Sequence, residues 1–239
     1  MIRPRSAGLG LAIALAAAGL GGCISVFPKT PPSQLYRFAA EAAAPAAAET
    51  DARVALILPP VTLSRASAGD QLLTITGDEA AFIAGSRWIS PAAVLWEESV
   101  RAAFAGRSAR TRLLTRTEVG TGQAFLRVSV PVFEARYPAP GAAPTVHVRL
   151  SAILLHRTGP FSAARTFEAA VPAADNRVGA IVTAFDRAVE QVTAGLLAWT
   201  DANADAAARD PEPSVPAATG ATSTSTSTST FTRTVRPRP

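Results

Sequence analysis

Two long stretches of the chain alternate strictly between apolar and polar positions. Ala124, Leu126, Val128, Val130 and Val132 take every second place, and so do Val146, Val148, Leu150, Ala152 and Leu154, with His147, Arg149 and Ser151 between them. A period of two puts one set on each face of a strand, so both stretches predict strands with one face buried and one wet. The turn-rich segment Pro138 to Pro144 joins them as a hairpin. Residues 156–162, centred on Gly159-Pro160, lead into a third strand through Phe167 to Val171. Shorter strands are expected at Tyr36-Arg37-Phe38, Val54 to Leu58, Gln71 to Thr76 and Thr111 to Leu114.

Helical spacing appears twice. Ala93, Trp96, Val100, Ala103 and Phe104 recur every three or four residues after Ser90-Pro91, which places an N-cap side chain before a proline at the first helical position. Val178, Ile181, Val182, Phe185, Val189, Val192, Leu196 and Trp199 form a longer stripe, with Asp175 as the expected N-cap. An antiparallel sheet with one wet face and two amphipathic helices is satisfied when both helices cover the other face. The expected class is α+β, an antiparallel β-sheet covered on one face by two helices.

The ends of the 239-residue chain read differently. Arg3 and Arg5 precede an apolar run from Gly8 to Leu20, then Leu20-Gly21-Gly22-Cys23. The run is shorter than the roughly 17 to 25 residues that span a bilayer. A charged start, a short apolar stretch and a small-residue cleavage site form a secretory signal over residues 1–22. An aliphatic residue, two small ones and a cysteine resemble a bacterial lipobox, in which the cysteine thiol takes diacylglycerol. The competing reading, cleavage after Gly21, leaves Cys23 as an unpaired thiol in an oxidising compartment. Cys23 is the chain's one cysteine, and lipidation consumes it without a partner. Several acyl chains hold a protein stably on a membrane. In bacteria that use the aspartate sorting rule, Asp after the cysteine retains a lipoprotein at the inner membrane. Ile24 and Ser25 stand here, so the expected location is the periplasmic face of the outer membrane. Residues 23–33 form a tether and 34–200 the domain. Residues 201–239, with Pro211, Pro213 and Pro216 followed by a Ser/Thr alternation from Thr222 to Thr230, form a tail expected to be disordered.

Charge narrows the partners. The formal balance is +5, and two of the 23 basic side chains leave with the signal. No basic cluster is interleaved with aromatics, which argues against nucleic acid. The chemical inventory is poor. His147 and His156, the two histidines, fall on opposite faces of one strand with no cysteine left to join them, so no metal site and no cofactor site is expected. Glu97 and Glu98 are adjacent on a helix and do not face one another. Ser64, Ser67, Ser86 and Ser90 lack a nucleophile-elbow context, and Gly120-x-Gly122 is a lone turn. No catalytic residue is assigned. Arg87-Trp88, just before the first helix, either seals the domain's edge or meets a partner. The exposed positions Arg127, His147 and Arg149 are the other candidate partner contacts.

The lipobox, Tyr36-Arg37-Phe38, Arg87-Trp88 leading into Val94 to Phe104, the strands Phe125 to Arg136 and Val146 to His156, the segment Arg165-Thr166-Phe167 to Val171-Pro172-Ala173, and Leu196-Leu197-Ala198-Trp199 come in a distinctive order. Over residues 20 to 200 this order resembles the ABC-type transport auxiliary lipoprotein family. Asp70-Gln71 to Thr76 is more polar than the family's strand there, and the Ser/Thr tail lies outside its pattern. The resemblance implies a non-catalytic, lipid-anchored part of a transporter that moves lipids between membranes. Its partners would be a substrate-binding protein with a mammalian-cell-entry domain and the permease and ATPase of the ABC complex. A homo-oligomer is compatible with this reading. A structural lipoprotein that assembles an outer-membrane complex is the rival from another class.

If Cys23 is acylated, Cys23→Ala yields a soluble or unprocessed protein, and mass spectrometry of the mature chain finds diacylglycerol on Cys23. An unmodified thiol there refutes the lipobox reading.

Overall fold

The alternation centred on Val128 forms the longest strand of the molecule, and the other strands are arranged on its two edges. The computed structural model describes residues 32–38, 53–115 and 117–209. The chain runs through β1 (Gln34–Tyr36), β2 (Val54–Ile57), β3 (Thr62–Leu63), β4 (Gln71–Thr76), β5 (Glu79–Trp88), helix α1 (Ala92–Arg107), β6 (Thr111–Leu113), β7 (Ala124–Tyr137), β8 (Thr145–His156), β9 (Ser162–Pro172), and helices α2 (Val178–Ala202) and α3 (Ala204–Ala208). One edge of β7 pairs antiparallel with β8, and β8 pairs antiparallel with β9. The other edge takes three short strands in succession, all parallel to β7: β2 at Ala124, β3 at Ser129 and β4 at Ala135. β5 then pairs antiparallel with β4, β1 parallel with β5, and β6 parallel with β2.

The class is α+β, as the pattern predicts, but the sheet is mixed rather than antiparallel. Alternation reports which face a side chain takes and is silent on the direction of the neighbouring strand. The three-stranded meander β7-β8-β9 is antiparallel because short loops join its members, whereas β2, β3 and β4 reach β7 from a distance in sequence. Strand β5 escapes the pattern because Ala80, Ala81 and Ala84 blur its alternation. Its hairpin with β4 turns on Gly77-Asp78, where Gly77 at φ +58° supplies the backbone that a two-residue loop needs.

Pro131 interrupts β7. Ser129 pairs with Ser151 and Val132 with Arg149, so two residues of β7 oppose one of β8. This is a β-bulge, a place where a proline without an N–H is tolerated in a central strand. The extra residue moves the buried set from even to odd positions. Ala124, Leu126, Val128 and Val130 are buried before it, Phe133 and Ala135 after it. Val132, expected on the buried face, lies instead on the open one. Phe133 consequently meets Phe38, Trp96, Trp88 and Phe185 at ring-centroid distances of 5.0, 5.6, 5.9 and 4.7 Å.

Both helices pack on this inner face through Leu95, Trp96, Val100 and Phe104 of α1 and Ile181, Phe185, Val189, Val192 and Leu196 of α2. Their starts differ from expectation. Ser90 does not cap α1. Its first amides, Ala92 and Ala93, donate to the carbonyls of Gly69 and Ala68, so a loop between strands supplies what a side chain was expected to give. At α2 the N-cap is Arg177. Asp175, two residues earlier, accepts the Arg177 amide at 2.8 Å and binds its guanidinium, which holds the Asp175 carboxyl below the usual carboxylate range. Buried Ser99, Thr193 and Thr200 satisfy their hydroxyls on the carbonyl four residues back. At Gly195 a Cβ would come within 2.9 Å of the Phe167 ring, so glycine there lets α2 lie close on β9.

The ordered helix passes the expected boundary at residue 200. Asp201 accepts hydrogen bonds from the Ser108 and Thr111 hydroxyls, both at 2.7 Å, and from the Ala109 amide at 3.1 Å. Ala204 and Ala207 are buried, and Arg110 pairs with Asp205. Sequence periodicity underestimates this end because small alanines, not large apolar residues, make its contacts. Cys23, most of the tether and residues 210–239 lie outside the described residues.

The bulge yields a sharp contrast. Phe133→Ala is expected to cost about 3–5 kcal/mol, the usual range for emptying a large aromatic site, while Val132→Ala one residue earlier costs under about 1 kcal/mol. Urea unfolding of the two variants checks this, and equal losses would refute the inward assignment of Phe133.

Candidate functional site

The face of the sheet away from the helices is open, and the register of β7, β8 and β9 builds it rung by rung. One rung sets Arg127, Ile153 and Ala164 side by side, the next Ser129, Ser151 and Thr166. Beyond the bulge the rungs are Val132, Arg149 and Glu168, then Glu134, His147 and Ala170. Arg127, His147 and Arg149 therefore share one face.

Two shallow depressions mark it. The first, about 310 Å³, lies between Pro59, Pro60, Thr62, Arg127, Ser129 and Ile153. Ile153 is 40 % exposed at its rim, and Arg127 has no ion pair among the described residues. The second, about 240 Å³, lies between Val132, Arg136, His147, Arg149, Glu168 and Ala170. Arg149 Nε donates to Glu168 Oε1 at 2.6 Å, and Arg136 Nε to Glu134 Oε1 at 2.8 Å. The first depression offers an apolar seat beside one open guanidinium; the second offers charges already paired with each other. Both suit contact with another macromolecule's polar surface around an apolar spot.

Partial burial on the sheet and the Arg136 guanidinium hold the His147 imidazole below the ordinary histidine value, with Glu134 pulling the other way. His156 points to the inner side, where its Nδ1 accepts the amides of Thr158 at 3.1 Å and Gly159 at 2.5 Å and so shapes the turn into β9. The two histidines are on opposite faces, as their odd separation requires.

Trp88 is not a surface contact. It is 2 % exposed, edge-on to Phe38 at 4.9 Å and to Phe185 at 5.4 Å, because it falls on the inward side of β5. Of the two readings open for Arg87-Trp88, packing holds for the tryptophan. Arg87 alternates outward and grips both Asp70 carboxylate oxygens at 2.9 Å. It belongs to the far end of the sheet, beyond β4, away from Arg127 and Arg149. Glu134, Arg136 and Glu168 escape sequence reading, the first two because the bulge reverses their face. Pro131 within an otherwise perfect strand is the signal that could have found them.

Among the described residues no three His, Cys, Asp or Glu side chains come together, and no helix is long and apolar enough to cross a membrane. A mixed sheet with a helix-covered inner face and a polar, rimmed outer face defines the class as a two-layer α+β domain. The chain belongs to the family of ABC-type transport auxiliary lipoprotein components, whose model matches residues 36–196. It is similar to the crystal structure of protein XCC0632 from Xanthomonas campestris, with 26 % identity and a TM-score of 0.59 over 72 % of this chain and 98 % of that one. An uncharacterised protein of known structure is similar at 16 % identity and a TM-score of 0.57, covering 70 % of this chain and 98 % of its own. No curated protein matches the chain.

Two-dimensional NMR of the imidazole protons is expected to place the His147 pKa below 6.5, with Arg136→Gln raising it and Glu134→Gln lowering it further. Because the folded value is the lower one, the associated stability is complete above pH 6.5 and is lost as pH falls through the folded value. A His147 that titrates at or above the ordinary value contradicts the packing of Arg136 beside it.

Proposed function

We propose that this protein is an auxiliary, non-catalytic lipoprotein of a mammalian-cell-entry-type ABC transporter, held at the periplasmic face of the outer membrane through Cys23. The observation that carries this reading is the family match over residues 36–196, which covers the sheet from the last residue of β1 onward and most of α2. The open face of β7, β8 and β9 is the docking surface, with Ile153 as the apolar seat and Arg127 and Arg149 as its polar rim. Binding, not turnover, is its chemistry. An open guanidinium beside an exposed aliphatic side chain guides an acidic partner surface to the right register, since rim charges act mainly on encounter and specificity. The partner is the substrate-binding protein with the mammalian-cell-entry domain, and through it the permease and ATPase.

A pull-down of the mature protein from solubilised envelopes is expected to enrich these transporter subunits over an unrelated lipoprotein. Arg127→Glu combined with Ile153→Asp is expected to reduce that enrichment at least about tenfold, the consequence of losing roughly 1.4 kcal/mol at the contact. No enrichment of any transporter subunit refutes the transport reading. Equal enrichment by the variant refutes this surface and leaves the function standing.

A further inference from the structure

The large apolar side chains left in water among the described residues are Leu35, Phe82, Ile89, Val94 and Ile153. Three of them belong to one region. Leu35 of β1 pairs with Arg87 of β5, and the Ile89 amide donates to the Tyr36 carbonyl at 2.8 Å, which continues the parallel pairing by one residue. Alternation then sorts the side chains. Tyr36, Phe38 and Trp88 turn inward, the last two to 2 % exposure, while Leu35, Arg37, Arg87 and Ile89 turn outward. Leu35 is 61 % and Ile89 51 % exposed. Phe82, opposite Leu73 on the neighbouring part of β5, is 44 % exposed. Arg37 is exposed and has no ion pair among the described residues.

This region is also where the chain from Cys23 enters the domain. Eleven residue steps separate Cys23 from Gln34, at most about 40 Å of extended chain. A short tether gives any weak contact near its attachment point a high effective concentration. Such a contact would be too weak to hold an untethered domain, and it sets orientation once the anchor is in place. A scatter of aliphatic and aromatic side chains beside two exposed guanidinium groups, Arg37 without an ion pair among the described residues and Arg87 held by Asp70, is the composition of a surface that rests in phospholipid headgroups.

We infer that Leu35, Phe82 and Ile89, with Arg37 and Arg87, form a seat on the bilayer surface, resting on the reading that Cys23 is joined to the membrane. The domain lies on the edge formed by β1 and β5. The open face of β7, β8 and β9 continues away from that edge and stays accessible to a periplasmic partner.

Fluorescence quenching by brominated acyl chains tests the seat, because it reaches indoles sunk in the bilayer and spares those in water. The mature chain is coupled through Cys23 to a maleimide-bearing lipid in vesicles of phosphatidylethanolamine and phosphatidylglycerol. The anchor is thereby present whether or not the cell acylates Cys23. Leu35→Trp, Ile89→Trp and Ile153→Trp are compared, each corrected for the emission of Trp88, Trp96 and Trp199. The added indole at 35 and at 89 is expected to lose much of its emission with brominated lipid, and that at 153 none. Two positions guard against one variant folding poorly. Absence of quenching at both 35 and 89 overturns the seat, and the patch then faces water or a protein. Quenching at 153 as strong as at 35 and 89 overturns the proposed orientation. Failure of the anchor itself shows separately, as an unmodified Cys23 in the protein taken from cells.

Discussion

The inward turn of Phe133 is the constraint on which the rest of this structure depends. Its ring lies within 6 Å of four other aromatic rings, drawn from the segment after β1, from β5, from α1 and from α2. Those rings also meet one another, Phe38 with Trp88 at 4.9 Å and with Trp96 at 5.9 Å, and Trp88 with Phe185 at 5.4 Å, and Phe133 is the ring that touches all four. Aromatic pairs add about 0.5–1.5 kcal/mol beyond the area they bury, so one side chain that completes several pairs outweighs the modest strain of a bulge. Without the extra residue at Pro131, Val132 would point inward and Phe133 outward. The cluster would lose its centre and the open face would gain an exposed aromatic ring.

The same bulge sets the character of the open face. Before it, odd residues of β7 face the solvent and present Arg127 and Ser129. After it, even residues do, and Glu134 and Arg136 arrive beside His147. The face is therefore divided into an apolar half around Ile153 with one open cation, and a polar half whose charges neutralise each other in pairs. Exposed ion pairs such as Arg149 with Glu168 stabilise a fold by roughly 0–1 kcal/mol, too little to explain them as struts. They leave Arg127, beside Ile153, as the cation of this face with no ion pair among the described residues, the feature on which the proposed docking depends.

Much of this was legible in the sequence because side-chain period survives without any alignment. Period two locates β7 and β8, the Gly159-Pro160 turn leads into β9, and helical spacing locates α1 and α2. Arg127, His147 and Arg149 lie on the open face because each stands directly between two buried apolar residues of its strand. What escaped did so for identifiable reasons. Strand direction leaves no trace in alternation, so the parallel placement of β2, β3 and β4 was invisible. Caps made by distant carbonyls, as Gly69 and Ala68 serve α1, cannot be seen from residues adjacent to the helix. Trp88 was ambiguous because a tryptophan before a helix start suits either a core or an interface, and only the pairing of β5 with β1 decides which side it takes. The bulge was hidden by Val132, whose apolar side chain extends the pattern past the point where the strand breaks it.

The division of labour within the molecule follows from these placements. The helices and the aromatic cluster consume the large apolar surface of the inner face, and the antiparallel meander exposes a flat polar face that needs no cover. On the proposed reading, with the domain tethered through Cys23, that face must also be kept from lying flat on the membrane, where it could not be reached. The exposed apolar positions satisfy this requirement by where they occur. Leu35 and Ile89 sit at the edge strand nearest the tether, and Ile153 sits four strands away, across β5, β4, β7 and β8. Neighbouring strands are about 4.8 Å apart, so the two apolar sites are separated by roughly 20 Å, enough for one to touch a surface while the other remains in solution.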